Sequence, residues 1–376
     1  MTKPKVLFVA SVSEHMIFHY PYLKWFQENG FETHVAAAHK QVLPCVDVFW
    51  EVDFKRSPFS PANIIAYRQL KKILNAEKFA IISTHTPMAS ILSRLANRSV
   101  GFKDTKLVYM AHGFHFYKGA PLINWLIYYP IEIIFSRFTH TLICINKEDY
   151  FRIKENGSKK CQYFLVPGVG VPSAKFNAPS VIEKQTIRER LHYSNEKVLV
   201  IYAAEFIPRK NHQFIIDAVC KHKDVFANAI FLFAGKGPEE EKLKQLVLQN
   251  KTADIIQFIG FRKDIADVYK MADIGVSASR QEGLPINIVE ELQTGLPVVC
   301  TNIRGQNELV VEATNGFLFT QNDTNAFVKK MELLLNDANL RHKMGLASLE
   351  LVKPFILENA FAEITKIYQD IILSSE

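Results

Sequence analysis

Short apolar runs alternate with longer amphipathic stretches along the whole chain. In the first half, strand-length runs occupy Lys5–Val12, Thr33–Ala38, Phe79–Thr84, Lys106–Ala111, Thr141–Ile145 and Tyr163–Val166, with helix-length segments between several of them. Strands that are apolar nearly throughout and separated by helices predict a parallel sheet covered on both faces. The pattern then restarts: Lys197–Ala203, Ala229–Ala234, Ile255–Ile259, Ile274–Ser279, Pro297–Thr301 and Gly316–Phe319. Two Rossmann-like α/β units in tandem follow from that restart.

The seam falls at the Pro/Gly-rich segment from Pro167 to Pro172, which is followed by a polar stretch with a predicted helix over Val181–Leu191. The expected domains are therefore 1–172 and 173–355. A last amphipathic helix, Ala360–Leu373, carries Phe361, Ile364, Ile367, Tyr368, Ile371 and Ile372 on one face. In twin-Rossmann enzymes such a terminal helix commonly crosses back, which assigns 356–376 to the first domain. Its staying on the second domain is the alternative.

Composition narrows the class. At 376 residues the chain is long for one core, and 48% apolar with 22% charged residues describes an ordinary folded protein. Cys45, Cys144, Cys161, Cys220 and Cys300 are scattered without C-x-x-C spacing, which argues for a reducing compartment and against a structural zinc site. The apolar run from Val6 to Val12 is too brief for a signal peptide or a membrane span and reads as a buried first strand. Residues 1–176 hold 22 Lys/Arg against 12 Asp/Glu, a formal +10, while the rest carries −3. A basic half suits nucleic acid, anionic lipid or a polyphosphate substrate. Without a zinc finger, an RNP-like aromatic motif or a basic helix, nucleic acid is the weakest of these.

The densest chemistry lies between Glu282 and Glu308. Glu282 and Glu290 stand eight residues apart across a strand-to-helix turn, Gly283-Leu284-Pro285. Proline suits the first turn of a helix. The N–H groups of Ile286, Asn287 and Ile288 are then expected to point out of the helix start, where a phosphate binds. A carboxylate one turn inside would repel bare phosphate, so the ligand should also carry hydroxyls to donate to it. Phosphate with vicinal hydroxyls describes a nucleoside diphosphate sugar.

This Glu-x7-Glu block, with Ala234–Glu239 (AGKGPE), Phe258–Arg262 (FIGFR), Pro208–Asn211 (PRKN) and Met110–His115 (MAHGFH), resembles the retaining glycosyltransferases of family 4. The resemblance spans nearly the whole chain and implies the GT-B fold, two Rossmann-like domains facing across a cleft. It implies that Glu290 accepts both ribose hydroxyls, a task for which a carboxylate's two oxygens are suited, and that Glu282 accepts from hydroxyls of the transferred sugar. A glycosidase-like acid and nucleophile pair would have to face one another across a bond, which the intervening helix start opposes.

Cleavage at the anomeric carbon leaves charge on the diphosphate, so cations and N–H dipoles aimed there should carry much of the catalysis. Lys210 is expected on the diphosphate. Many members of the family place an arginine at the preceding strand end, where this chain has Ala204-Glu205, and Arg209 is the expected compensating cation. Retaining transfer in the family is described as front-face attack, so no protein nucleophile is required. His112 matches the family's histidine near the donor sugar, with His115 as its local competitor. The loop after the first strand lacks the Gly-rich turn of related enzymes; Ser13 is the candidate for a backbone approach to phosphate, and His15 and His19 are acceptor-side candidates. Gly235, Gly237, Phe261 and Arg262 match the region that reads the base through backbone atoms, with uridine common among similar enzymes.

Residues 121–138 are unusually aromatic and apolar, yet Asn124, Pro130 and Glu132 argue against spanning. The segment reads either as an interfacial helix on an anionic bilayer or as a buried helix. With the aromatic stretch Ala111–Lys118 before it, it resembles bacterial capsule and exopolysaccharide transferases that act on lipid-diphosphate-linked sugars. The expectation is a cytoplasmic enzyme at the inner face of the membrane, using a UDP-sugar as co-substrate with no cofactor and no metal, since no Asp-x-Asp motif is placed to hold a cation on the diphosphate. A nucleotide-sugar 2-epimerase and a non-catalytic partner subunit are the alternatives.

Overall fold

The structure, a computed structural model, describes residues 3–55, 57–102 and 104–374, so positions 1, 2, 56, 103, 375 and 376 of the expected first domain lie outside it. Two compact units are present. One runs to Val169 and takes back the segment from Ala360 onward, and the other is Gly170–Asn359.

The first unit contains β1 (Lys5–Val12), β2 (Glu32–Ala38), β3 (Val48–Glu51), β4 (Ile81–Thr84), β5 (Lys106–Ala111), β6 (Thr141–Cys144) and β7 (Gln162–Leu165). They form one sheet in the order β3-β2-β1-β4-β5-β6-β7, parallel throughout. Strand β3 is absent from the apolar pattern because it is an edge strand of four residues, none fully buried. Burial of the central strands on both faces explains their continuous apolar runs, with Val6–Ala10 wholly shielded from solvent.

The aromatic segment forms the helix Leu122–Phe135, with Pro130 inside it. It is neither wholly buried nor wholly exposed. Trp125, Tyr128, Tyr129 and Ile133 pack on a cluster that includes Phe114 and Phe116, while Leu122, Ile123, Leu126 and Ile134 face solvent. Glu132, which in the sequence argues against membrane insertion, points inward and pairs with the buried Arg94 at 2.9 Å. Burial nevertheless raises its pKa, only partly offset by Arg94. Among the described residues no helix is long and apolar enough to cross a membrane.

The second unit contains β8 (Val198–Ala203), β9 (Ala229–Ala234), β10 (Ile256–Gly260), β11 (Ile274–Ser277), β12 (Val298–Thr301) and β13 (Gly316–Phe319). Their order is β10-β9-β8-β11-β12-β13, again all parallel. The helix Val181–Arg190 starts where Ser180 accepts the N–H of Glu183 at 3.1 Å, a local N-cap. The chain enters and leaves this unit side by side, since Val171 bridges in parallel to Ile356. The terminal helix is Leu357–Leu373, and Ile364, Tyr368 and Ile371 are buried along it. In the first unit its Tyr368 hydroxyl meets Ser83 at 2.7 Å.

Candidate active site

Ligands of open α/β sheets gather beyond the carboxyl ends of the strands, where strand order reverses. In the second unit the reversal lies between β8 and β11, and in the first between β1 and β4. Both edges are rich in the residues singled out by sequence.

After β8 the chain forms the 3-10 turn Pro208–Lys210. The buried Tyr202 hydroxyl donates to the carbonyl of Lys210 at 2.6 Å and fixes that turn. Lys210 Nζ lies 2.5 Å from Glu282 Oε1, and Arg209 Nη1 lies 3.1 Å from Glu282 Oε2. Glu282 is 7% exposed, so one shielded carboxylate is gripped by two cations. Three of these charges sum to one net positive, and each carboxylate oxygen keeps a second lone pair for a sugar hydroxyl. Glu205, at the place of the family's arginine, is exposed and supplies no cation.

The turn from Glu282 to Pro285 is braced from behind. Arg304 Nε donates to the carbonyl of Glu282 at 3.0 Å. Gly305 has φ +79°, and a Cβ there would lie 2.4 Å from the carbonyl oxygen of Gly283. Only glycine permits this approach. Neither residue stands out in the sequence as part of the site, because each supports a turn 22 positions earlier in the chain.

The helix that follows is Ile286–Gln293, with Pro285 as its N-cap rather than its first residue. The expectation for Ile288 is corrected here: its N–H closes the first turn on the Pro285 carbonyl at 3.2 Å. Among the described residues Ile286 and Asn287 keep N–H groups with no protein acceptor, so the helix start offers two donors.

Glu290 lies one turn in, beside a pocket of about 560 Å³ whose walls include Ala204, Lys236, Arg262, Tyr269 and Asn287. Its Oε2 accepts from the Tyr269 hydroxyl at 3.0 Å. Burial pushes its pKa up to about 7, against the opposing pull of Tyr269 and Lys175. Gly235 stands at the pocket's edge with φ +156°, where a Cβ would lie 2.1 Å from the Ala204 carbonyl oxygen; glycine lets the loops after β8 and β9 touch. Gly237 similarly presses on the backbone of Phe206. Phe261 is 66% exposed, and Arg262 is held by Asp264. Tyr269 and Lys175 are the partners of Glu290 that sequence reading missed. Tyr269 is one more aromatic on an amphipathic helix, and Lys175 one more polar residue in the linker.

Glu291, the sequence neighbour of Glu290, is fully buried. Its Oε1 accepts from Asn287 at 3.3 Å, and its Oε2 has no partner among the described residues. Gly275 on β11 makes room for that oxygen, since a Cβ there would stand 2.3 Å from it. Burial holds the Glu291 pKa well above the ordinary carboxylate range.

At the corresponding edge of the first unit, β1 leads into the 3-10 segment Ser13–His19, β4 leads to His85 and β5 to His112. Ser13 is buried, and its hydroxyl donates to the His39 carbonyl at 2.7 Å and accepts from Gln41 at 2.8 Å. Its side chain is therefore committed within the fold. His15 and His112 meet edge-on at 4.8 Å between ring centroids, and His19 lies over His85 at 3.7 Å. Burial holds His15 near a pKa of about 4 and drives His19, His85 and His112 well below the usual histidine range. All four imidazoles are neutral at pH 7. His115 stands outside this group, edge-on to Tyr128 at 4.6 Å, with its carbonyl accepting from Asn124.

Known proteins match both units. The family model "Glycosyl transferase 4-like" matches residues 5–146, and "Glycosyl transferases group 1" matches 183–349. A putative glycosyltransferase of Bacillus subtilis, EpsD, is 38% identical over 92% of this chain and 91% of its own. A UDP-Gal:alpha-D-GlcNAc-diphosphoundecaprenol alpha-1,3-galactosyltransferase of Escherichia coli is 29% identical over 81% of this chain and 79% of its own. The fold is that of Anabaena Alr3699/HepE, solved in complex with UDP, at a TM-score of 0.79 and 17% identity over 97% of this chain and 100% of that one. The chain is a glycosyltransferase of GT-B fold, and belongs to the family 4-like glycosyltransferases.

Proposed function

We propose that this glycosyltransferase moves a sugar, with retention of anomeric configuration, from a UDP-sugar to a polyprenyl-diphosphate-linked sugar at a membrane surface, in capsule or exopolysaccharide synthesis. The observation that carries the donor half is Glu290. A half-buried carboxylate, oriented by Tyr269 and set one turn inside a helix start with two open N–H groups, fits a ligand that presents phosphate and a vicinal diol together. Lys210, Arg209 and the helix start meet the charge that develops on the departing diphosphate, in place of a metal ion. Glu282 accepts from the transferred sugar, and His112 from or to one of its hydroxyls. The acceptor oxygen attacks the anomeric carbon on the face the diphosphate leaves, and its proton passes to the leaving phosphate.

The acceptor half is supported by the E. coli relative, whose name gives an undecaprenyl-diphosphate-linked acceptor, and by the apolar face of the helix Leu122–Phe135 in a basic half of the chain. We infer a peripheral position on the inner leaflet, with that face entering the headgroup region. The test is transfer from a panel of UDP- and GDP-sugars to a polyprenyl-diphosphate sugar, with the linkage read by NMR. Retained configuration with a UDP-sugar supports the reading. Failure to bind any nucleoside diphosphate and to transfer from any donor overturns it, and turnover of donor alone points to an epimerase.

A further inference from the structure

The histidines of the first unit hold a feature that sugar binding leaves unexplained. Among the described residues, His15, His19 and His112 each offer a ring nitrogen, and these atoms lie within 4.8 Å of one another. The Nε2 atoms of all three are buried without a hydrogen-bond partner. Three ring nitrogens gathered this closely offer a donor set rather than a single hydrogen bond.

We propose that His15, His19 and His112 form a binding site for a divalent transition metal of zinc's class, with a fourth position left open. Three imidazoles with an open position are a recognised zinc donor set, and imidazole suits such borderline cations over magnesium or calcium. A tetrahedral zinc ion with Zn–N distances of about 2.0–2.1 Å sets its nitrogens roughly 3.3–3.4 Å apart, so the cluster must draw in by about 1.4 Å. His15 is the ring placed to do so: it is only partly buried and sits on the short 3-10 segment Ser13–His19, while His19 is buried and His112 follows directly on β5.

The surroundings already support the inner ligand. His85 lies against His19 at 3.7 Å between ring centroids with the planes tilted by 38°, His85 Nε2 meets Ser83 at 3.1 Å, and Ser83 meets Tyr368 of the terminal helix. These contacts hold the His19 ring in place by packing. With the cation on Nε2, the proton of His112 is fixed on Nδ1, which makes that ring a hydrogen-bond donor of set direction. This last consequence rests on the sugar role proposed for His112; the metal site itself does not.

The test is metal uptake by the full, untagged chain without nucleotide sugar, so its failure is separable from failure of the proposed activity. Zn²⁺ or Co²⁺ is added, excess is removed, and bound metal is counted by mass spectrometry, with cobalt's visible absorption reporting geometry. One equivalent with the intense bands of four-coordinate cobalt is expected. His15→Ala should weaken binding by more than the roughly 10–100-fold that loss of an outer partner costs. His15→Cys, which supplies a thiolate, should restore it with a sulfur-to-cobalt charge-transfer band, and His342→Ala, at an exposed histidine of the other unit, should change nothing. No stoichiometric uptake, or uptake unaltered in both His15 variants, overturns the proposal.

Discussion

Tyr269 donates its hydroxyl to Glu290 at 3.0 Å, and so holds a carboxylate whose pKa burial has raised to about 7. A diol is bound best by the ionised form, which accepts both hydroxyls. UDP affinity should therefore rise from about pH 6 to about pH 8, and binding near neutrality should release a proton, read as a buffer-dependent enthalpy in calorimetry. Tyr269→Phe removes a bond that favours the carboxylate and should move this profile to higher pH. Glu290→Gln should weaken UDP binding roughly 10–100-fold and flatten the profile. In the ligand-free protein the linkage has the opposite sense. A raised carboxyl pKa contributes stability at low pH that is lost as pH rises from the ordinary value of 4.5 through about 7, and Glu290→Gln should reduce that loss.

Lys210 and Arg209 share Glu282, but not equally. The side chain of Lys210 is 13% exposed and that of Arg209 is 41% exposed. Removing the better shielded cation should cost more, because its field is less screened. Lys210→Ala is expected to lower kcat on the order of 100- to 1000-fold, the range for loss of one preorganised charge-stabilising group, and Arg209→Ala by clearly less. Steady-state transfer assays on variants of matched melting temperature check the order. Equal effects would show that the two cations act interchangeably.

Glu291 and Glu290 are sequence neighbours with opposite expectations. The Glu291 carboxyl is buried with one oxygen unpartnered among the described residues, and burial favours its neutral form. Glu291→Gln should leave UDP affinity within about twofold while keeping the melting temperature or raising it, since an amide of the same shape needs no ionisable group there. A loss of affinity as large as that of Glu290→Gln would contradict this division.

Arg94 and Glu132 form the buried ion pair beneath the aromatic helix, and Arg94 also lies over Tyr109 at 4.7 Å and Phe135 at 5.0 Å. Glu132→Leu strands a buried guanidinium and should cost about 3–5 kcal/mol in denaturant unfolding. The double variant with Arg94→Met should recover much of that, because neither charge then remains to be desolvated.

Leu122, Ile123 and Leu126 are 57–73% exposed on the same helix. Replacing Leu122 and Leu126 by serine should reduce sedimentation with phosphatidylglycerol-containing vesicles and leave the melting temperature unchanged, since neither residue packs on the core. Binding that persists would place the membrane contact elsewhere.

Among the described residues, the apolar runs along the chain are enough to give two parallel α/β units, twelve of the thirteen strands and the Glu282–Glu290 turn, because strands buried on both faces leave continuous apolar runs and helices buried on one face leave a period. Edge strand β3 left no such period. Only tertiary structure paired Glu290 with Tyr269, bound Glu282 to both cations, buried Glu291 beside Gly275, turned Glu132 inward to Arg94, and brought His15, His19 and His112 from two separate strand ends into one cluster. Each of those outcomes depends on which residues from distant positions share a sheet edge, and hence on which charges and ring nitrogens lose their water. Local sequence fixes the periodicity of burial, but desolvation and its partners are set by the fold.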